Sequence, residues 1–398
     1  MCSGKQQGQT LFAALLLLVI GVGALVFYMA DPSRLQQSSD AKTAAALAQA
    51  KEALIGWRLN DNNRPGVLPC PDLNDDGTAE SVSVSPPNEC PSYIGRLPWK
   101  TLGLPELRDG HGETLWYALS RNFRNGAAAE PVNTDTKGTL TVYAQTTGTV
   151  MASETAAVIF APGPVLGNQD RSSSATVSCT APSGTIPLSR CAANYLETAS
   201  TTNNASAAGP YIAAQPTTAF NDKLLMVSAA DVMVPVEKRA AREILSLLQL
   251  YKSSSASGCN CYPWADVSDG ASNDGLTYGR VPLLDAAPTN WSAFSTPIAI
   301  APWLINNRWW WVFFYAVAGN DTEDHSGGSL TLDGASGKRV VLISTGTAGA
   351  SRPAGAPGTW DTAWWSYYVD DSNNSDLNST FITPTSSAYD RDRLYTIP

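Results

Sequence analysis

Residues 93–119, "YIGRLPWKTLGLPELRDGHGETLWYAL", return later in the same chain in reduced form. The opening "YIGRLPWKTLGL" has a counterpart in "TYGRVPLLDA" at 277–286, and "LWYAL" at 115–119 has one in "FFYAV" at 313–317. Outward from these anchors, strand-like pairs follow: "GTLTVYA" with "AAVIFAPG" in the first half, "GSLTLDG" with "RVVLISTG" in the second. Each half then closes alike, "TTAFNDKLLMVS" at 217–228 matching "SSAYDRDRLYTI" at 386–397. The chain therefore reads as two copies of one unit, and 398 residues are more than one hydrophobic core usually serves.

Each copy begins with a helix. In the second, the spacing predicts a helix over 235–252, with Pro235 suited to its first turn and Val236, Ala240, Ile244, Leu248 and Tyr251 on one face. In the first, Asp31-Pro32-Ser33 predicts a break, after which an Ala-rich helix resumes near Asp40 with Leu47, Ala50, Leu54 and Trp57 as its apolar stripe. About four strands follow each helix, bounded by Gly, Asn, Asp and Pro turns. A helix followed by a mainly antiparallel sheet, made twice, is an α+β pattern.

The net charge of -9 and the pI of about 4.8 argue against nucleic acid, because binding a phosphate backbone draws its affinity from clustered Lys and Arg. Only 15% of residues are charged, while 43% are hydrophobic and twelve are Trp, enough to build cores. Cys2 apart, six cysteines remain and fall into local pairs, as in an oxidising compartment: Cys70 with Cys90, Cys179 with Cys191, and Cys259 with Cys261. The last pair is the weakest, since one intervening residue closes a tight ring.

No charged residue interrupts 11–29, and a helix of that length matches a hydrocarbon core of roughly 30 Å. Lys5 places the short side in the cytoplasm. A cleaved signal peptide is the competing reading, but ahead of Asp31 the third position before the cut is Tyr28 rather than a small residue.

A short basic leader ending in Gly8, followed at once by an apolar helix, resembles the type IV pilin and type II secretion pseudopilin superfamily. The block "LPCPDLNDDG…C…YIGRLPWKTLGLPELRDGHGETLWYAL" is similar to an uncharacterised branch of pilin-like proteins. The resemblance implies cleavage by prepilin peptidase between Gly8 and Gln9, and a long N-terminal hydrophobic helix, 9–58, serving as membrane anchor and later as filament spine. It further implies two tandem heads, 59–230 and 231–398, each a helix on a mainly antiparallel sheet, after a leader at 1–8. The implied setting is the bacterial inner membrane, single-pass with periplasmic heads. The implied partners are prepilin peptidase and other pilin or pseudopilin subunits. One departure matters: the fifth mature position, usually Glu, is Ala13. A buried charge needs a partner, and a tip subunit has no neighbour ahead of it, so its absence favours a minor tip subunit over a major one. The rival reading is a single-pass, outward-facing adhesin that joins no fibre.

Asp72, Asn74, Asp76 and Glu80 lie around Gly77 in "DLNDDGTAE", an oxygen-rich spacing by which loops wrap Ca²⁺. The twelfth loop position is Ser83, so no bidentate Glu closes the site, and the same residues make ordinary solvated turns. "DVSDGASNDG" from Asp266 is a looser version. Calcium is thus the one cofactor the sequence raises. Trp309, Trp310 and Trp311 read as a core strand rather than a sugar platform. Trp360, Trp364 and Trp365, between Gly- and Asn-rich loops, are the better candidates for ligand stacking, with a packed loop as the alternative. No catalytic motif is present, His111 and His325 lie in turn-like segments, and the Cys259-x-Cys261 dithiol lacks a thiol-activating setting, so an enzyme is not expected.

Overall fold

Runs such as 156–161 and 313–317 lack the alternation of a half-exposed strand because both faces of their sheets are covered. The computed structural model describes residues 14–20, 32–83, 88–125, 131–144, 148–167, 169–172, 178–181, 184–187, 191–199, 202–253, 260–265, 276–282, 300–319, 328–347, 365, 367–385 and 392–397. The first half opens with α1 (Pro32–Trp57), followed by β1 (Ile94–Arg96), β2 (Trp116–Leu119), β3 (Leu140–Tyr143) and the long β4 (Val150–Ala161). Two small hairpins come next, β5 (Ser178–Ala181) with β6 (Gly184–Pro187), and β7 (Thr198–Ala199) with β8 (Thr202–Asn203); β9 (Tyr211–Ile212) and β10 (Lys223–Ser228) complete this half.

The second half opens with α2 (Ala229–Ser253), then β11 (Tyr278–Arg280), the short helices α3 (Pro302–Asn306) and α4 (Trp309–Val312), and β12 (Phe313–Val317). It ends with β13 (Leu330–Leu332), β14 (Ala335–Lys338), β15 (Val340–Ser344), β16 (Thr380–Phe381) and β17 (Arg393–Ile397).

The halves share one topology. β1-β2-β4-β10 and β11-β12-β15-β17 are both antiparallel, with Arg96 opposite Trp116 and Arg280 opposite Phe314 at the matching rungs. Each half adds a small outer ladder containing a parallel pair, β3 with β9 and β13 with β16. Tyr117 donates to the Pro69 carbonyl at 3.2 Å, and its counterpart Tyr315 donates to the Pro263 carbonyl at 3.0 Å.

Alternate residues of each strand serve different cores. Tyr117, Ile159, Phe313, Tyr315 and Leu342 face inward into a core common to both halves, where Leu47 and Leu54 of α1 and Val236, Ile244 and Leu248 of α2 meet them. Burying each such aliphatic side chain contributes ~1.5–3 kcal/mol. Trp116, Val158 and Phe160 face outward beneath one outer lobe, and Phe314, Val341 and Ile343 beneath the other. Asn307 bolts the halves together: its Oδ1 accepts the Val132 amide, its carbonyl accepts Asn133 Nδ2, and its Nδ2 donates to the Asn63 carbonyl. Arg239 of α2 adds donors to the Leu59 and Asp61 carbonyls while stacking on Trp303.

The expectation of a long N-terminal hydrophobic helix is corrected here. Among the described residues no helix is long and apolar enough to cross a membrane. Within the apolar run only 14–20 is described, a helical piece rising about 10 Å, a third of the roughly 30 Å required. Residues 1–13 and 21–31, with the leader, lie outside the described residues. α1 is long enough to span, but it carries Arg34, Asp40, Lys42, Lys51 and Glu52. The single-pass inner-membrane placement with periplasmic heads, which rested on that helix, is corrected with it.

Two smaller expectations also change. α1 does not wait until Asp40 but starts at Pro32, because proline is tolerated in a first turn where its missing donor has no partner to lose. The triple tryptophan is not a strand: Trp309–Val312 is a helical turn entered through Arg308 in the left-handed region (φ 55°), and β12 starts only at Phe313.

Candidate functional site

Large apolar side chains are exposed at one end of the chain. Leu15, Leu16, Leu17, Leu18, Val19 and Ile20 are 52–70% exposed on their helical segment, and Leu35 in the first turns of α1 is also exposed. From Ser39 onward α1 docks on the first head, and a groove of about 230 Å³ lies at that root, lined among others by Gln36, Asp40, Thr43, His111 and Lys223.

The root is built from local chemistry. Asp109 is fully buried; its Oδ1 accepts the His111 and Glu113 amides and its Oδ2 the Gly163 amide, which fixes the 109–113 turn against the end of β4. That turn then grips the helix. The Gly110 amide donates to Thr43 Oγ1 at 2.9 Å, Thr43 donates back to the Ser39 carbonyl, and His111 Nε2 lies 3.2 Å from Ser39 Oγ. Across the groove Lys223 pairs with Asp40.

Gly110 approaches so closely that a Cβ there would sit 2.2 Å from the Ser39 carbonyl oxygen, a backbone atom that cannot swing away. Gly110→Ala is therefore expected to cost about 1–3 kcal/mol by pushing α1 off its seat, and urea unfolding of the full chain, followed by Trp fluorescence, checks it. A midpoint unchanged from wild type would mean that the turn does not hold the helix.

The sequence-predicted sites fall out differently. Asp72 is buried, and its oxygens are taken by the chain's own amides: Oδ1 by Asn74 and Asp75, Oδ2 by Gly77 at 2.7 Å. Burial raises its pKa, while the Gly77 and Asp75 amides pull the other way. Asn74 Oδ1 accepts the Asp76 amide, Asp76 Oδ1 that of Thr78, and Glu80 Oε1 that of Leu73. The four residues thus cap a loop rather than converging on a centre. Gly77 (φ 82°) lies under Trp99, where a Cβ would meet the indole at 2.5 Å. Among the described residues no group of three or more His, Cys, Asp or Glu is placed to hold a metal.

Trp365 is fully buried in the second outer core, its indole N–H donating to the Asn374 carbonyl at 2.9 Å. Trp360 and Trp364 lie outside the described residues, as do Gly8, Gln9, His325, Cys259 and the second acidic loop from Asp266. Cys70 and Cys90 form a disulfide with Cα atoms 5.5 Å apart. Cys191 and Cys261 are also disulfide-bonded; Cys259 and the side chain of Cys179 lie outside what is described.

No family model, curated protein or solved structure matches this chain.

What the chain does must then be read from its own residues, and several of the most constrained were not singled out from the sequence. Asn204 clamps Ile212, accepting its amide at 2.8 Å and donating to its carbonyl at 3.2 Å; Asn374 does the same to Ile382 at 2.8 and 2.9 Å. Asp222 and Asp392, each eighteen residues beyond its Asn, are buried and accept amides from the preceding lobe. The signal was present in the matched endings "NDKLLMV" and "RDRLYTI", where an Asp stands before a base in both copies.

Proposed function

We propose that this chain is a structural subunit of the type IV pilin and pseudopilin kind, acting as a minor subunit at a fibre tip. The observation that carries the reading is the exposed apolar helical segment at 15–20, next in sequence to a head made twice as helix on antiparallel sheet. Six such side chains, each worth ~1.5–3 kcal/mol when buried, favour a cover, and the apolar helices of neighbouring subunits provide one. Ala13 in place of the usual Glu, together with two heads too bulky to stack along a shaft, supports the tip rather than the body of the fibre. The partners would be other pilin-like subunits and a prepilin peptidase acting between Gly8 and Gln9.

Shearing filaments from cells and probing both fractions for this chain tests the reading. The chain is expected in the sheared fraction, and Leu17→Glu is expected to remove it from there while the heads still fold. Wild-type protein found only with the cells would overturn it.

A further inference from the structure

The two outer lobes are built on the same frame, and they differ at one carboxylate. In the second lobe both oxygens of Asp392 are occupied by amides, those of Asp370 and Asp371. In the first, Asp222 Oδ2 accepts the Glu197 amide at 2.9 Å and Asn204 Nδ2 at 2.9 Å, while Oδ1 is buried with no donor among the described residues. Beside Asp222 is Glu197, whose position corresponds to Tyr367 in the second lobe at the 170-residue offset that relates Asn204 to Asn374 and Asp222 to Asp392. Glu197 Oε2 accepts the Asn221 and Asp222 amides at 3.0 and 3.1 Å. Each carboxyl group thus caps the other's backbone, and this reciprocity brings two buried acid groups into contact.

Two carboxylate oxygens are both acceptors, so a buried contact between them needs something positive in the gap. The surrounding cations are committed elsewhere: Lys223, next in sequence, pairs with Asp40, and Arg171 pairs with Glu113 while donating to the Gly163 and Asn194 carbonyls. Gln169 reaches Glu197 Oε1 at 2.7 Å, but its amide is neutral; Asp170, the remaining titratable group on that segment, is turned toward Ser172.

We propose that the Asp222 carboxyl keeps its proton beside Glu197, and that this proton is a latch holding the strip of residues 191–199 and 202–222 closed over the first outer core. With the proton present, the two reciprocal caps bind the strip to the start of β10 and cover Trp116, Val158 and Phe160 with Tyr195, Leu196 and Tyr211. Loss of the proton sets two negative charges against each other in a buried place, and the strip opens while the inner core, which it does not touch, stays folded. Burial and the neighbouring Glu197 charge both raise the Asp222 pKa. An acid whose folded pKa lies above its unfolded value of about 3.9 gives stability fully present below that value and lost as pH rises through the folded pKa.

Infrared spectra of the full chain, taken from about pH 5 to about pH 8, read the proton directly. A protonated-carboxyl C=O band is expected to persist above the ordinary carboxylate range and to be weaker in Glu197→Gln, where only the share of other buried acids such as Glu237 is left; that difference is expected to disappear together with a loss of near-ultraviolet aromatic dichroism. Asp222→Asn, whose amide mimics the protonated form, is expected to keep that dichroism constant over the same range. Absence of the band in wild type overturns the proposal whether or not either variant folds. So does stabilisation of wild type, but not of Asp222→Asn, by added calcium chloride at fixed pH, because a cation and not a proton would then fill the gap.

Discussion

Arg393→Ala is expected to destabilise the chain by about 3–5 kcal/mol at neutral pH, whereas Lys223→Ala at the matching position of the first half costs about 0–1 kcal/mol. Both residues open the last strand of a head and both pair with a carboxylate on that head's helix, so chemistry alone does not separate them. Burial does. Glu237 is fully buried in α2, held by Arg393 at 3.0 Å and by the Tyr395 hydroxyl at 3.0 Å; the Lys223 and Asp40 side chains are more than a third exposed, so water screens that pair. Removing Arg393 strands a charge in the common core.

The pH dependence follows with a definite sign. Burial already raises the Glu237 pKa, and Arg393 is the main influence lowering it. Without Arg393 the folded pKa rises further above the unfolded value, so the variant is most stable below that value and loses stability as pH climbs through the folded pKa. Denaturant unfolding of both variants at acidic and neutral pH checks this. Equal losses at the two positions, or an Arg393→Ala penalty that does not shrink in acid, would refute the assignment.

Trp365→Ala should be nearly as costly, about 3–5 kcal/mol. The indole stands edge-on to Phe314 at 5.2 Å and to Tyr278 at 6.1 Å, and truncation leaves a cavity in the second outer core together with an Asn374 carbonyl deprived of its donor. A Trp that merely awaited a ligand would be lost without effect on folding. The measurement is the unfolding midpoint of the full chain, and a variant as stable as wild type would put this side chain on the surface.

The two helices show how much of the fold the sequence carried. All five residues placed on the inner face of the second helix, from Val236 to Tyr251, are buried there, because a stripe at 3.6-residue spacing leaves a long helix one face to bury. The helix starts six residues before the point that the spacing predicts. Ser228 and Asp231 cap each other's amides at 2.8 and 3.1 Å, a box of the Ser-x-x-acid kind that starts α2 at Ala229 and leaves Pro235 inside it. Asp231 also receives Lys51 at 2.8 Å, so that cap joins the two helices, a pairing across 180 residues that no local pattern announces.

The sites were less legible for a related reason. Asp72, Asn74 and Asp76 have the composition of a cation loop and the geometry of nested turns, and only the directions of the side chains tell the two apart. Trp365 sits among loop-forming residues and points inward, a matter settled by Phe314 and Tyr278 far away in the chain. Conversely, Glu197 carries no motif, Asp222 only the repeated Asp-before-base ending, and it took the fold to bring them together.

The inner core, to which both halves contribute, has a genetic corollary. A lone half produced by itself would present its sheet and helix to water as a sticky plane, and its natural cover would be a second molecule of the same kind. Joining two such modules in one reading frame ties each to its mate at a fixed ratio of one to one, so neither depends on how abundantly the other is made.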